Sequence, residues 1–287
     1  MYVWRMLKYL MIFAIIFTCT KETDAQSLGQ ERVKRIKSCT VRVVIEGSGS
    51  IGTAFFVNES GALLTCWHVI EPSIVQIGDR RSFKKIYIVY PKGDSEEVAI
   101  PTTFFDSKLN ISAVAYDFCL LAIINPKNKK YPFLKMGVYD LANEGDDIYT
   151  CGYPLAIQQQ FVSKGIISTK YINENNAIAI SDGKVVTMPR HESLLDVTMN
   201  PGNSGGAIIK IGDTPDKDEV IGIADFIINP IAGIADELTS KFKGAAGLKI
   251  MGVDPNITFA GFTELFKTTS NGISGCISLN HVIDALK

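Results

Sequence analysis

The sequence predicts an all-β fold with few long helices. Its apolar residues fall in short segments separated by clusters of Gly, Pro, Asn and Asp, a pattern typical of strands joined by turns. At 287 residues and 46% hydrophobic content, the chain is long and apolar enough to bury a core. Segments of this kind are Val41 to Ile45, Ile86 to Val89, Ile148 to Cys151, Ile178 to Ile180 and Val220 to Ile223.

A hairpin is predicted in the first quarter of the chain. Gly52 to Val57 and Ala62 to Leu64 are apolar runs, and the polar, glycine-ended break Asn58 to Gly61 separates them. The hairpin delivers His68 just past the end of a strand. A histidine at that place is held rigidly while its ring faces a cleft.

A second candidate residue is Asp117, which opens the short apolar run Phe118 to Ile124. That run is consistent with a buried strand. An ionised carboxylate beside such a strand is costly unless it is paired. Donation from an imidazole N–H would satisfy it.

The third candidate is the hydroxyl nucleophile in Gly202-Asn203-Ser204-Gly205-Gly206. A turn of residues with little or no side chain can aim backbone N–H groups at one point beside the Ser204 oxygen. Such preorganised donors stabilise an oxyanion, and removing one typically costs about 10²- to 10³-fold in rate. We therefore expect an oxyanion hole at Gly202, Asn203 and Ser204.

These residues occur in the chain order His, Asp, Ser, one of three orders known for the same catalytic geometry. In that geometry Ser204 attacks a carbonyl and His68 takes and returns the proton. Asp117 fixes the tautomer of His68 and stabilises its charged form.

The chain resembles the trypsin-like serine endopeptidases of the HtrA/Deg branch, without the PDZ domain that HtrA proteins often append. The resemblance covers roughly Cys39 to Gln160, continues to Ile227 and resumes near Ile273. It implies two six-stranded antiparallel β-barrels with the active site in the groove between them, and a short C-terminal helix. The segments that carry it are Gly52 to Ile70, Asp117 to Ile123, Gly202 to Ile208, Cys151 to Pro154, Lys164 to Ser168 and Gly275 to Asn280.

The domain organisation follows from this resemblance. We expect a peptidase domain over residues 26–287, with barrel one at about 38–135 and barrel two at about 145–287. His68 and Asp117 would belong to the first barrel, and Ser204 to the second. An insertion at about 229–271 replaces what this branch normally spans with a short loop. It is either a lid beside the substrate groove or a surface decoration.

The resemblance also places the primary specificity pocket. Its expected lining is the stretch before the serine, from Thr198 to Pro201, and the strand Ala224-Asp225-Phe226-Ile227. Thr198 stands where a trypsin-type pocket has an acid, which predicts cleavage after small or medium apolar residues. Asp225 either pairs with the triad, reaches the pocket or hydrogen-bonds at the groove edge.

Composition limits the partners. The net charge of −1 and the absence of a basic stripe exclude an electrostatic footprint for nucleic acid, so the expected partners are protein or peptide substrates. No cofactor is expected, and no metal, because the cysteine spacings do not resemble a zinc site. The oligomeric state is not encoded.

The N-terminal sequence is typical of a signal peptide, which is predicted over residues 1–25. Arg5 and Lys8 precede an apolar run from Tyr9 to Phe17, which is too short for a stable membrane span. Thr23-Asp24-Ala25 forms a small-x-small cleavage site. The prediction is export to a periplasm or to the exterior, with a lipoprotein anchored through Cys19 as the alternative.

The remaining cysteines and histidines have less specific interpretations. Five cysteines remain after Cys19, so at least one thiol is unpaired within a monomer, and most are interpreted as buried small hydrophobes. His191 is interpreted as a loop residue and His281 as a solvated residue at the start of the terminal helix.

An alternative to the peptidase function is a catalytically weak peptidase-fold chaperone or binding protein. A second alternative is a hydrolase that acts on esters.

Overall fold

The computed structural model describes residues 28–77, 80–105, 107–126, 128–181, 184–227 and 273–287. The predicted signal peptide, the lipidation candidate Cys19 and the insertion at 229–271 lie outside the described residues. Across the described residues the fold is mostly β and ends in a short helix, as predicted. None of the helices in these ranges is long and apolar enough to cross a membrane.

Fourteen strands are present among the described residues. Their bounds are β1 Thr40–Ile45, β2 Gly49–Phe56, β3 Ala62–Thr65, β4 Ile74–Ile77, β5 Arg80–Phe83, β6 Ile86–Val89, β7 Ser95–Ala99, β8 Cys119–Ile123, β9 Asp147–Gly152, β10 Phe161–Ser181, β11 Lys184–Asp196, β12 Ala207–Lys210, β13 Glu219–Ile227 and β14 Ile273–Ser278.

Four α-helices and five 3₁₀ turns connect these strands within the described ranges. The helices are α1 Gln30–Cys39, α2 Trp67–Ile70, α3 Ser107–Ala115 and α4 Leu279–Ala285. The 3₁₀ turns are Glu71–Ser73, Thr102–Phe105, Tyr139–Leu141, Pro154–Ala156 and Pro215–Lys217.

Six strands form a closed barrel in the order β1-β2-β3-β8-β7-β6. All its strand pairs are antiparallel. In β8 the burial alternates along Cys119-Leu120-Leu121-Ala122-Ile123, because successive side chains of a strand point to opposite faces. The inward residues join Phe55 and Phe56, which are fully buried, in the core.

The second set of strands pairs in the order β10-β11-β14-β13-β12-β9, and β9 pairs back onto β10. β9 contacts β10 only from Phe161 to Ile166, and β14 contacts β11 only from Glu192 to Asp196. The β10–β11 ladder continues to the pair Ser181 and Lys184. These two strands therefore extend beyond the ring as a long hairpin arm.

Helix α1 packs on the second set of strands through a buried ion pair. The guanidinium Nε of Arg32 lies 2.9 Å from a carboxylate oxygen of Asp218, which also accepts from the Tyr149 hydroxyl at 2.8 Å. Ile36 and Cys39 bury the apolar side of the helix. This contact ties the chain segment before β1 to the far half of the molecule.

Candidate active site

His68 is presented by a single helical turn directly after β3. Its neighbours Trp67, Val69 and Ile70 are buried, and the Trp67 ring stacks on Phe104. Because the flanking side chains anchor the turn, the His68 side chain faces outward and is 46% exposed. The hairpin was expected to deliver His68 to such a position.

Asp117 occupies the bend between helix α3 and strand β8. Its backbone is left-handed, with φ of 51°, a conformation that Asp tolerates better than most residues. One carboxylate oxygen accepts a hydrogen bond from the His68 backbone N–H at 2.8 Å. The other lies 2.6 Å from His68 Nδ1. The two contacts fix both the position and the rotation of the imidazole ring.

The Ser204 turn is held against strand β2 by its backbone. The N–H of Thr53 donates to the Ser204 carbonyl at 2.9 Å, and the Thr53 hydroxyl donates to the Gly202 carbonyl at 2.7 Å. Gly202 and Gly205 have φ of 100° and 86°, which favour glycine. A Cβ atom on Gly205 would lie 2.2 Å from the Thr53 carbonyl oxygen. The turn therefore needs glycine at this place to approach the first barrel.

The Ser204 hydroxyl donates to the backbone carbonyl of Asp225 at 3.3 Å. Among the described residues no hydrogen bond joins it to His68, so the structure brings His68 and Asp117 into contact and does not join Ser204 to them. Catalytic hydrogen bonds are often long or misaligned before substrate binds.

Two of the three predicted oxyanion donors are available. The Asn203 N–H donates to the Asn200 carbonyl at 3.0 Å and is therefore occupied. The backbone N–H groups of Gly202 and Ser204 donate to no described residue.

The comparison with protein families agrees with this arrangement. Residues 52–223 match the family described as trypsin-like peptidase domain. The chain belongs to the trypsin-like peptidase family. The matched residues include His68, Asp117 and Ser204.

Among curated proteins, the peptidase domain is similar to HtrA-type members of the family. It is 29% identical over 182 residues to a probable periplasmic serine endoprotease DegP-like of Chlamydia trachomatis, covering 63% of this chain and 29% of that protein. It is 30% identical over 177 residues to serine protease HTRA3 of Mus musculus, covering 61% of this chain and 32% of that protein. The chain thus spans about a third of the length of these relatives.

Solved structures show the same fold. The HtrA-type protease AlgW with tripeptide superposes with a TM-score of 0.55 at 19% identity, over 88% of this chain and 60% of that one. AlgW with decapeptide gives 0.55 at 18% identity, over 89% of this chain and 65% of that one. This likeness supports the chymotrypsin-like fold expected from the sequence.

A second carboxylate lies behind the His68 ring of this trypsin-like peptidase. An Asp225 oxygen is 3.9 Å from His68 Nδ1, and carboxylate oxygens of Asp225 and Asp117 lie within 4.8 Å of each other. The guanidinium of Arg190, on the hairpin arm, contacts the other Asp225 oxygen. Asp225 therefore pairs with the predicted triad, one of the three alternatives left open by the sequence.

The pKa values of these groups are shifted in opposite directions. Burial, then the hydrogen bond and charge of Asp117, raise the pKa of Asp225 to about 7. Burial also acts to raise the pKa of Asp117, but hydrogen bonds with His68 and Asp225 outweigh it, so the pKa is lowered. Burial lowers the pKa of His68, yet the Asp117 hydrogen bond and charge prevail and raise it.

A small cavity beside Ser204 has a lining that overlaps the predicted pocket. Its volume is about 10 Å³, room for about one water molecule. Of the predicted stretch Thr198 to Pro201, Met199 and Asn200 line it, while Thr198 and Pro201 are exposed and do not. The predicted residues Ala224, Asp225 and Phe226 line it as well, together with Asn203 and Ser204.

Potential metal donors also meet at this place, but they suit a metal poorly. Atoms of Cys66, His68, Asp117 and Asp225 lie within 4.8 Å of one another. The Cys66 thiol is buried, and burial together with the nearby aspartates raises its pKa well above the usual range. A cation would also have to share Asp225 with a guanidinium. We therefore assign no metal ligand here.

The five described cysteines are all free and buried, as expected from the interpretation of most of them as small hydrophobes.

Two histidine interpretations were wrong. His191 lies in strand β11 rather than a loop, and its N–H donates to His281 Nε2 at 2.8 Å. The His281 ring is half-buried and stacks on Tyr116 with centroids 3.9 Å apart, so it is not a solvated residue.

Proposed function

We propose that this chain is a serine endopeptidase that hydrolyses peptide bonds through Ser204, His68 and Asp117. The observation that supports it best is the two-point contact between Asp117 and His68. A carboxylate that accepts from both the backbone N–H and ring Nδ1 leaves Nε2 as the free ring nitrogen. That nitrogen is the one a general base uses toward a serine hydroxyl.

The proposed reaction follows from these positions. The Ser204 hydroxyl rotates toward His68, loses its proton to the imidazole and attacks the substrate carbonyl carbon. The negative charge that develops on the carbonyl oxygen is received by the N–H groups of Gly202 and Ser204. His68 then gives its proton to the leaving amine, and water repeats the sequence on the acyl-enzyme.

For specificity we propose small or medium apolar side chains at the cleaved residue. The support is the size and wall composition of the cavity beside Ser204. Phe226 lines this cavity, and its ring packs against Gly275, where an added Cβ would lie 2.0 Å from the nearest ring atom. A peptide library with Ala, Val, Leu, Phe and Lys at the cleaved position would test this order directly.

For location we propose export. The chlamydial relative is named a periplasmic protease, and the sequence of residues 1–25 is typical of a signal peptide. We also propose that peptides are the partners, since the AlgW structures contain a tripeptide and a decapeptide. Edman sequencing of the exported protein should begin at Gln26.

The decisive experiment compares the natural chain with Ser204→Ala on casein and on a fluorogenic peptide. We expect a loss of about 10⁴-fold or more in kcat, since the substitution removes the nucleophile. A fluorophosphonate should label the natural chain at Ser204 by mass spectrometry and leave the variant unlabelled. Equal cleavage by both proteins would reject the proposal. Retention of unfolded protein without cleavage would favour the chaperone instead.

A further inference from the structure

Asp225 lies in a position that the three catalytic residues do not explain. It projects from strand β13 with only 10% of its side chain exposed. Its carboxyl lies within 4.8 Å of the Asp117 carboxyl, contacts the Arg190 guanidinium, and stands 3.9 Å from His68 Nδ1. It also lines the cavity beside Ser204, so it lies between the proton-carrying groups and that cavity.

The charges around Asp225 do not balance when every acid is ionised. Arg190 also pairs with Glu192, whose Oε1 lies 2.9 Å from the Arg190 Nε and whose side chain is 1% exposed. Two carboxylates, those of Asp225 and Glu192, thus face one guanidinium, and the third, that of Asp117, lies within 4.8 Å of Asp225. Buried like charges at contact distance cannot all ionise at low cost, and a shared proton between two carboxyls is the usual solution.

We propose that Asp225 is a positioning residue that shares a proton with Asp117 and so holds the Asp117 carboxylate in place behind His68. The inference rests on the proposed peptidase function. In this arrangement the protonated Asp225 carboxyl donates a hydrogen bond to Asp117. Asp117 keeps its contacts with His68, and a single net negative charge stands behind the ring.

The surrounding groups support this placement of the proton. The pKa of Asp225 is raised while that of Asp117 is lowered, which is the pattern of two carboxyls that divide one proton. Arg190 and His68 act in the opposite sense and favour ionised Asp225. Among the residues that the structure describes, other titratable groups near the cluster include the buried thiols of Cys66, Cys119 and Cys276, Tyr171 beside Glu192, and Glu71 beside His68.

A spectroscopic titration measures the protonation of Asp225 and does not depend on catalytic activity. In the Ser204→Ala protein with ¹³C-labelled aspartate, the Asp225 carboxyl carbon is assigned by its loss in Asp225→Asn and titrated from pH 4 to 9. The expected midpoint is near 7, against about 3.9 for an ordinary Asp. A midpoint below about 4.5 would show an ordinary ion pair with Arg190 and overturn the proposal.

A kinetic test measures whether Asp225 positions Asp117 for catalysis. Asp225→Ala removes the donor to Asp117, and we expect kcat to fall about 10- to 100-fold through a misplaced carboxylate. Asp225→Asn keeps a donor of the same shape and should recover most of that loss. Its kcat/KM should rise with pH through one ionisation, whereas the natural chain should show two interacting ones. Asp213→Asn, at an 89% exposed side chain, is the control and should match the natural chain.

The two proposals fail in different ways. If the natural chain cleaves no peptide, the endopeptidase function fails while the carboxyl titration still decides where the proton lies. If Asp225→Asn is as impaired as Asp225→Ala, and both titrate like the natural chain, Asp225 does not position Asp117 and the peptidase function stands.

Discussion

The two sides of the cleft are held by different interactions. On the first-barrel side, His68 and Asp117 depend on charge and hydrogen bonds between side chains, in partly buried surroundings. On the second-barrel side, the Ser204 turn depends on backbone contacts with Thr53 and on glycines that leave no room for a side chain. The first side should therefore tolerate changes of shape better than changes of charge, and the second the reverse.

Asp117→Asn should have the largest effect among these variants, and that effect should be on activity and not on stability. Asn keeps the shape and tolerates the left-handed backbone, so the fold should remain and the thermal midpoint should change little. The substitution removes the carboxylate that orients His68, so kcat should fall by about 10⁴-fold near neutral pH. Peptide hydrolysis and thermal unfolding are measured on the same preparations. A comparable loss of stability and activity would contradict the charge-based account of this side.

Gly205→Ala tests the second-barrel side, where the Ser204 turn depends on close backbone packing. The added Cβ would lie 2.2 Å from the Thr53 carbonyl oxygen and 2.3 Å from the Thr65 hydroxyl, at a φ of 86°. We expect the free energy of unfolding to fall by about 3 kcal/mol or more, from overpacking and backbone strain together, and activity to be lost.

Gly93→Ala is the matched control for this glycine. Gly93 has a φ of 94°, but nothing lies within 4 Å of an added Cβ. Only backbone strain of about 1 kcal/mol should remain, with activity unchanged. Urea unfolding of both variants measures the difference. Equal destabilisation would show that the close approach of the Ser204 turn to Thr53 is not what requires glycine.

Local patterns were sufficient for the residues that lie next to strand ends. His68 follows a hairpin and Asp117 precedes a buried strand, so their positions could be predicted from short windows of sequence. The Ser204 turn could be proposed because its small residues surround a hydroxyl. The contact between His68 and Asp117 depends on the pairing of β3 with β8, an arrangement that the family resemblance implied.

The contacts across the second set of strands could not be predicted in this way. Arg190 reaches Asp225 because β11 and β13 both pair with β14, and that register depends on residues far apart in the chain. Within the predicted stretch Thr198 to Pro201, the cavity is lined by Met199 and not by Thr198, because neighbouring side chains in extended backbone point in opposite directions. Helices α1 and α3 were missed, since their apolar residues are few or lack a clear helical period.

Thr53→Val is the smallest of the expected effects and measures the link between the two sides. The Thr53 hydroxyl donates to the Gly202 carbonyl and accepts from the Tyr153 N–H at 3.2 Å, inside a fully buried site. Valine has the same shape, so the variant removes hydrogen bonds without making a cavity. Leaving both buried partners unsatisfied should cost about 1–3 kcal/mol in unfolding free energy.

The same substitution should lower kcat more than it raises KM, because Gly202 carries one of the two available oxyanion donors and its carbonyl would lose its anchor. Thr187→Val, at an exposed position of strand β11, is the control and should stay within about 0.5 kcal/mol of the natural chain. If Thr53→Val loses stability but keeps its kcat, the hydroxyl of Thr53 does not position the turn. Of the two hydrogen bonds between Thr53 and the turn, the one from the Thr53 backbone N–H to Ser204 would then be sufficient for catalysis.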